Sequence, residues 1–339
     1  MEPLFFTRYP PAPGTVLEPG TVHLEPLRER TVAIIGYGTM GRAHAVNLRR
    51  SGIAVAVGVR AGSAGGGRAC ADGFTPLPVA TAVAAADVVM LLLPDTAMAG
   101  AWAADVAPNL RPGAAIGFAH GFAVAFGQVD PGPGRPCFLA APKAQGDMLR
   151  ELHAQGLGVP GLLAVTDASP PATWDLAAAY CLAVGCLHGG GYVTTFRDEC
   201  VSDQFGEQAV LCGGVIELLK AAYDTLVEAG YSPENAYFEC VHELKLITDL
   251  LHRHGLADLR RRISGTAAYG GLTRGPRIVD DGVRARMREV LAEIEDGRFA
   301  RELLTEGGGM ERLAAAEAAG TLARAAAVML PRLHPGGDN

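Results

Sequence analysis

Two pairs of acidic residues stand close together in the second half of the chain: Asp203 with Glu207, and Glu239 with Glu243. Helical i, i+4 spacing turns both carboxylates of a pair the same way. Their neighbours are apolar or small: Phe205, Gly206 and Ala209 around the first pair, Tyr237, Phe238, Val241 and Leu244 around the second. Carboxylates on an otherwise buried face require compensation, and a hard divalent cation is the usual source. The competing reading is a solvated helix face held by i+4 ion pairs. One turn beyond each pair, however, stand Leu211 and Ile247, not bases. The spacing therefore points to a metal site and to metal-assisted chemistry.

A second constellation concerns a nucleotide. Gly36-Tyr37-Gly38-Thr39-Met40-Gly41 is G-x-G-x-x-G, directly after an apolar run (31–36) and at the head of a helical pattern (40–51). The first glycine makes the tight turn, the second lets the backbone approach a pyrophosphate, and the third lets helix and strand pack closely. An NAD site usually places an acid at the end of the next strand, for the ribose 2′-hydroxyl. Residues 59–65 carry none; Arg60 and Ser63 suit a 2′-phosphate, so NADP is expected, with a merely solvated loop arginine as the alternative. His120, in Phe118-Ala119-His120-Gly121-Phe122, and Lys143, in Ala141-Pro142-Lys143, follow later strands at the sheet edge where ligands bind. Of 29 basic residues only Lys143, Lys220 and Lys245 are lysine, which makes Lys143 more informative.

The elements that must position these residues fall into two patterns. Short apolar strands at 31–36, 53–59, 87–93, 114–118, 137–141 and 162–165 alternate with helices at 40–51, 96–110 and 172–184. This predicts an α/β fold with a Rossmann-like doubly wound sheet. After Gly189-Gly190-Gly191 the strand signals nearly vanish, and 195–230, 233–254, 281–296 and 310–330 are helical in period or composition. The expected organisation is an irregular arm at 1–30, extended or disordered, a cofactor domain at 31–191 and an all-α domain at 192–330. A length of 339 residues is ample for two cores. A formal charge of −7 argues against nucleic acid or an anionic membrane as partner. No apolar run is long enough to span a bilayer. The start, Met1-Glu2-Pro3-Leu4, lacks a signal-peptide pattern. Seven scattered cysteines without a C-x-x-C pair suggest reduced thiols and a cytoplasmic protein. Cys200, Cys212 and Cys240, on the acidic helices, read as small buried packing residues.

These segments resemble ketol-acid reductoisomerase of the short form. The resemblance rests on GYGTMGRAHA (36–45), LLPD (92–95), FAHGF (118–122), APK (141–143), DQFGEQAVLCGG (203–214), YFECVHELKLI (237–247), ISGTAAYG (263–270), GPRI (275–278) and DGRFA (296–300). It implies that Asp203 bridges two Mg²⁺ ions and Glu207 holds one. Glu239 and Glu243 would come from a partner subunit, Glu243 also serving as acid/base, and the partner's Ser264 would bind the substrate carboxylate. His120 and Lys143 would line the site from the cofactor domain, with Asp95 of LLPD and His120 also beside the cofactor. The helical domain would be knotted and form a homodimer or a higher homo-oligomer.

Some positions depart from the family pattern. Met40 stands where glutamine is usual, Gly65 where a serine is usual, Ala144-Gln145-Gly146-Asp147 where G-P-G-H is usual, and Gly265-Thr266-Ala267-Ala268 follows Ser264 in place of Asn-Thr-Ala-Glu. The activity implied is NADPH- and Mg²⁺-dependent conversion of a 2-hydroxy-3-keto acid such as 2-acetolactate. An alkyl migration is followed by hydride reduction, in branched-chain amino-acid biosynthesis. The alternatives are a paralogue reducing another 2-keto acid or an imine without migration, and a catalytically silent cofactor-binding homologue. A β-hydroxyacid dehydrogenase is weaker, because it needs no paired carboxylates.

Overall fold

Nine strands form one sheet: β1 (Val16–Leu17), β2 (Thr31–Ile35), β3 (Ala54–Gly58), β4 (Pro76–Leu77), β5 (Val88–Leu91), β6 (Ala115–Phe118), β7 (Cys137–Pro142), β8 (Gly161–Val165) and β9 (Gly191–Val193). Their order is β1-β9-β8-β7-β6-β5-β2-β3-β4. The structure is a computed structural model that describes residues 4–6, 9–306 and 309–334. Met1, Glu2, Pro3 and Arg8, part of the sequence reading of the arm and its start, lie outside the described residues.

Strands β4, β3, β2, β5, β6 and β7 run parallel, while β8 is antiparallel to β7 and β1 to β9. A parallel sheet is covered on both faces, so its strands must be apolar on both. Period-two alternation sends Val32, Ile34 and Met90 into one core and Ala33, Ile35, Val89 and Leu91 into the other. Between β2 and β5 the strand order reverses, and such a switch point leaves a crevice at the carboxyl ends of the strands.

The six apolar runs read from the sequence are all strands. The three missed, β1, β4 and β9, have only two or three residues each and carry no periodic signal. The described part of the arm packs on the sheet domain: β1 pairs with β9, Leu27 is fully buried, and the Phe6 ring lies 5.8 Å from that of Trp174.

The chain divides into two compact units, one up to Ser202 and one from Asp203 on. The first runs past the glycine triplet, because Gly191 pairs within β9 and the helix after it, α3 below, begins in this unit. Helices α1 (Thr39–Arg50) and α2 (Ala64–Ala71) belong to the first unit. Helix α3 (Phe196–Gly206) leads into the second. There α4 (Gly214–Glu228) follows the Glu207 turn, α5 (Glu243–Arg262) begins at Glu243 and α6 (Gly265–Ile278) follows Ser264.

The second unit buries little. Its small core is Tyr223, Ala236, Tyr237 and Met329, whereas Leu211, Leu246, Leu251, Leu256, Tyr269 and Leu272 are exposed. Among the described residues no single helix is long and apolar enough to cross a membrane. The bent pair Met310–Ala318 and Thr321–Leu333 meets that length and composition only when taken together.

Candidate active site

The turn after β2 is shaped by glycine. Gly36 has a φ of +95°, and a Cβ there would lie 2.5 Å from the Leu92 carbonyl oxygen. A Cβ on Gly41 would lie 2.1 Å from the Gly36 oxygen, whereas Gly38 faces open space. The backbone is thus bare where a diphosphate would meet the N-terminus of α1. A cleft of about 630 Å³ opens over this turn, with Tyr37, Thr39, Met40, Arg60, Ser63 and Arg68 among its walls. All the residues expected to bind the cofactor line it except Asp95 and His120. Asp95 begins a helix (Asp95–Ala101), and its carboxyl is raised by burial; His120 pulls it back and Glu199 adds to the rise. Its electrostatic neighbours therefore belong to a second cluster, built around Glu199.

Glu199 is only 1% exposed at its side chain. Its Oε2 accepts the Gly121 N–H at 2.8 Å and lies 3.1 Å from His120 Nδ1, while its Oε1 accepts from Lys143 Nζ at 3.0 Å. The sequence places these three partners on the β6 and β7 loops. The close fit of Gly121 against α3 brings them to Glu199: a Cβ at 121 would lie 2.1 Å from the Phe196 oxygen. Burial opposes the imidazolium of His120. The contact with Cys200 and the bond and charge of Glu199 outweigh it and push His120 up to about 10. For Glu199, burial raises the carboxyl, but His120 and Lys143 together hold it below the usual range. At neutral pH a carboxylate and two cations are therefore held at the carboxyl ends of β6 and β7.

Asp203 lies one turn beyond Glu199 on α3 and is half-buried. The helix does not continue regularly into Glu207. Residues Glu207–Leu211 form a π-helical turn, and the Glu207 carbonyl accepts from both Cys212 N (2.7 Å) and Gly213 N (3.0 Å). The second pair has the same device: Glu239 lies in the π turn Phe238–His242, and Glu243 opens α5. Wide turns of this kind recur at functional sites, where they re-aim side chains.

Two glycines permit the first π turn. A Cβ on Gly213 would lie 2.0 Å from the Gln208 oxygen, and one on Gly214 2.2 Å from the Ala209 oxygen. Gly213→Ala should therefore lower stability by about 1–3 kcal/mol in thermal or denaturant unfolding, as forced overpacking does. Gly206→Ala, which meets nothing within 4 Å, should not destabilise.

The expectation of a buried acidic face is not met in the single chain. Glu207, Glu239 and Glu243 are exposed, as are Phe238, Leu246 and Ile247 beside the second pair. The apolar context that suggested burial is real, but none of the described residues covers it. Ser264 is exposed too; it caps α6, accepting the Ala267 N–H at 3.1 Å. Of the three cysteines read as buried, Cys200 is, Cys240 is half-buried and Cys212 is exposed. All seven are free thiols. The chemistry of the four acids, carboxylate oxygen throughout, fits Mg²⁺ and not a softer ion.

Residues 26–190 match the family model for the acetohydroxy acid isomeroreductase NADPH-binding domain, and residues 196–327 that for the ketol-acid reductoisomerase C-terminal domain. The chain belongs to the ketol-acid reductoisomerase family. It is similar to an NADH-preferring ketol-acid reductoisomerase from an uncultured archean, with 37% identity and a TM-score of 0.88 over 93% of this chain and 98% of that one. Two weaker likenesses show the fold alone. A semialdehyde dehydrogenase NAD-binding protein from Cupriavidus necator has 21% identity and a TM-score of 0.58, over 79% of this chain and 99% of that one. A pyrroline-5-carboxylate reductase from Coxiella burnetii has 14% and 0.51, over 78% and 96%. As a ketol-acid reductoisomerase family member the chain is an oxidoreductase/isomerase with a Rossmann NAD(P)-binding domain, and branched-chain amino-acid biosynthesis is its setting.

Sequence reasoning passed over Glu199, because it took the acids two at a time. The signal was available: Glu199 and Asp203 are themselves i, i+4, which makes a run of three acids at 199, 203 and 207. It also passed over the ties behind the glycine turn. Arg42 binds Asp72 through Nε (2.7 Å) and Nη2 (2.8 Å), and the Tyr37 hydroxyl donates to the same carboxylate at 2.9 Å.

Proposed function

We propose that the protein carries out NADPH- and Mg²⁺-dependent reductoisomerisation of 2-acetolactate-type acids. The observation that carries the reading is on α3: Glu199 holds His120 and Lys143 as cations, and one turn on stands Asp203, the first of four hard oxygen donors. When bound, two Mg²⁺ ions supply Lewis acidity to the substrate hydroxyl and carbonyl oxygens, and NADPH supplies the hydride. Asp203 and Glu207 hold the metals from one chain. Glu239 and Glu243 do so from a second copy, which also covers the exposed Leu246, Ile247 and Leu251. Glu243 takes the proton of the substrate hydroxyl and returns it after migration. Ser264 keeps its hydroxyl proton for the substrate carboxylate, since the capping bond uses only its oxygen. Lys143 and His120 draw in the anionic substrate and donate as oxyanion charge develops. The glycine turn, Arg60 and Ser63 hold the nucleotide, and the reaction runs in the cytoplasm in a homodimer or larger homo-oligomer.

With 2-acetolactate, Mg²⁺ and NADPH the protein should oxidise NADPH and release the 2,3-dihydroxy-3-methyl acid, followed at 340 nm and by product mass. No turnover at any Mg²⁺ concentration would end the proposal. A second reading, reduction without migration, draws on Gly146: a Cβ there would lie 2.5 Å from the Thr39 oxygen, so the altered 144–147 segment abuts the glycine turn. It requires a simple 2-keto acid to be reduced faster than acetolactate.

A further inference from the structure

The end of β3 decides which nicotinamide cofactor is held, and the structure adds a residue there. Beyond Gly58 the chain passes Arg60 and enters α2, capped by Ser63, whose oxygen accepts the Gly66 N–H at 3.3 Å. Gly65, in the first turn of α2, lies directly against the glycine turn: a Cβ there would come within 3.3 Å of Tyr37 Cβ and 3.4 Å of Tyr37 O. The missing side chain lets α2 close on the turn. Arg68 is three residues on, hence on the same face of α2. Its Nη2 donates to the Tyr37 carbonyl at 2.9 Å, and it lines the cleft with Arg60 and Ser63.

That bond uses one of five guanidinium N–H groups, and it fixes the planar fork at the cleft wall. Residues 59–68 contain no carboxylate to receive a ribose 2′-hydroxyl. Among the described residues lining the cleft the acid is Asp105, from the π turn Trp102–Val106 and not from the end of β3. Two guanidiniums, a hydroxyl and the N-terminus of α2 thus line the same cleft, a setting for a dianion.

We infer that Arg68 is, with Arg60, the second guanidinium that reads the cofactor 2′-phosphate, so that α2 as well as the loop sets a preference for NADPH. Where a serine at position 65 would offer one hydroxyl, this chain has glycine, and Arg68 lines the cleft three residues on. The inference rests on the proposed NADPH dependence but not on the migration chemistry.

The test is nucleotide affinity of the full-length protein, by fluorescence titration with NADP⁺ and NAD⁺, for wild type, Arg68→Gln and Arg68→Lys. The wild type should bind NADP⁺ more tightly. Arg68→Gln should weaken NADP⁺ by about 10-fold or more, the scale of a charge-assisted bond to phosphate, and NAD⁺ by less than about 2-fold. Arg68→Lys should recover part of the loss. Equal weakening of both nucleotides would overturn the inference, because Arg68 would then only brace the Tyr37 carbonyl. So would unchanged affinities, or a wild type that prefers NAD⁺, a result that needs no variant to fold. Selective NADP⁺ binding without acetolactate turnover would remove the reductoisomerase activity and leave Arg68's role standing.

Discussion

Asp203→Ala should reduce turnover of 2-acetolactate by about 10³-fold or more while leaving NADP⁺ affinity within about 2-fold; several kcal/mol of charge stabilisation through a metal, at 1.36 kcal/mol per factor of ten, set that scale. The asymmetry follows from placement. Asp203 opens the helical unit, whereas the nucleotide cleft is built wholly from the sheet unit. Removing the carboxylate takes a hard donor from the set without touching the glycine turn. Asp203→Asn is the sharper variant, since it keeps size and one carbonyl oxygen but loses the charge. It should fall nearly as far, and raising Mg²⁺ should recover part of the loss. Mn²⁺ titration followed by electron paramagnetic resonance checks the metal directly: the wild type should bind with the higher affinity. Wild-type turnover in Asp203→Ala would mean that the acids are a solvated face after all. A wild type that binds nucleotide but turns over nothing would favour the silent homologue.

The sheet domain was legible because its physics is local. Strands buried on both faces must be continuously apolar, and runs such as 87–93 and 114–118 declare themselves without reference to anything distant. The glycine turn is equally local: at Gly36 and Gly41 backbone atoms occupy the space of a Cβ. Helix α2 was not legible, since Ala64–Ala71 includes three consecutive glycines and has little helix propensity. It stands because Ser63 caps it, Arg68 ties it to Tyr37, and Arg42 and Tyr37 hold Asp72 at its end. Apart from the local Ser63 cap these are long-range contacts that no period announces.

At the site, residue types were legible and their surroundings were not. The i, i+4 spacing of Asp203 with Glu207 and of Glu239 with Glu243 holds in sequence, but π turns interrupt the regular helix at both pairs. A π turn advances about 4.4 residues per revolution and not 3.6, so equal spacing no longer means an equal face. Burial failed for a different reason. Apolar neighbours in sequence say that a surface should be covered, not that the same chain covers it, and the helical unit leaves Leu246, Leu251 and Tyr269 exposed.

Glu199→Gln should both destabilise the sheet unit and slow turnover. The glutamine is nearly isosteric but can satisfy only part of the ring of donors. Its one oxygen can face the Gly121 N–H and His120 or face Lys143, and its amide then points a donor at the other. Leaving a cation beside a buried group without its counter-ion costs about 2–4 kcal/mol, below the full buried-pair value because His120 and Lys143 are partly exposed. The pH dependence distinguishes this loss from simple misfit. His120 is raised in the folded state, so its contribution is complete below its ordinary value near 6.5 and disappears as pH rises through about 10. Glu199 is lowered, so its contribution is present above the ordinary carboxylate range and disappears as pH falls through its folded value. Denaturant titrations of both proteins from pH 4 to 10.5 should therefore show a stability gap widest between about pH 4.5 and 6.5, shrinking steadily as pH rises above that and beginning to shrink below it. Turnover should fall about 10²-fold, the usual weight of a positioned proton donor. Its alkaline limb should move to lower pH as His120 loses the charge that kept it protonated. A gap that stayed constant with pH would show that the carboxylate packs in this site without holding its cations.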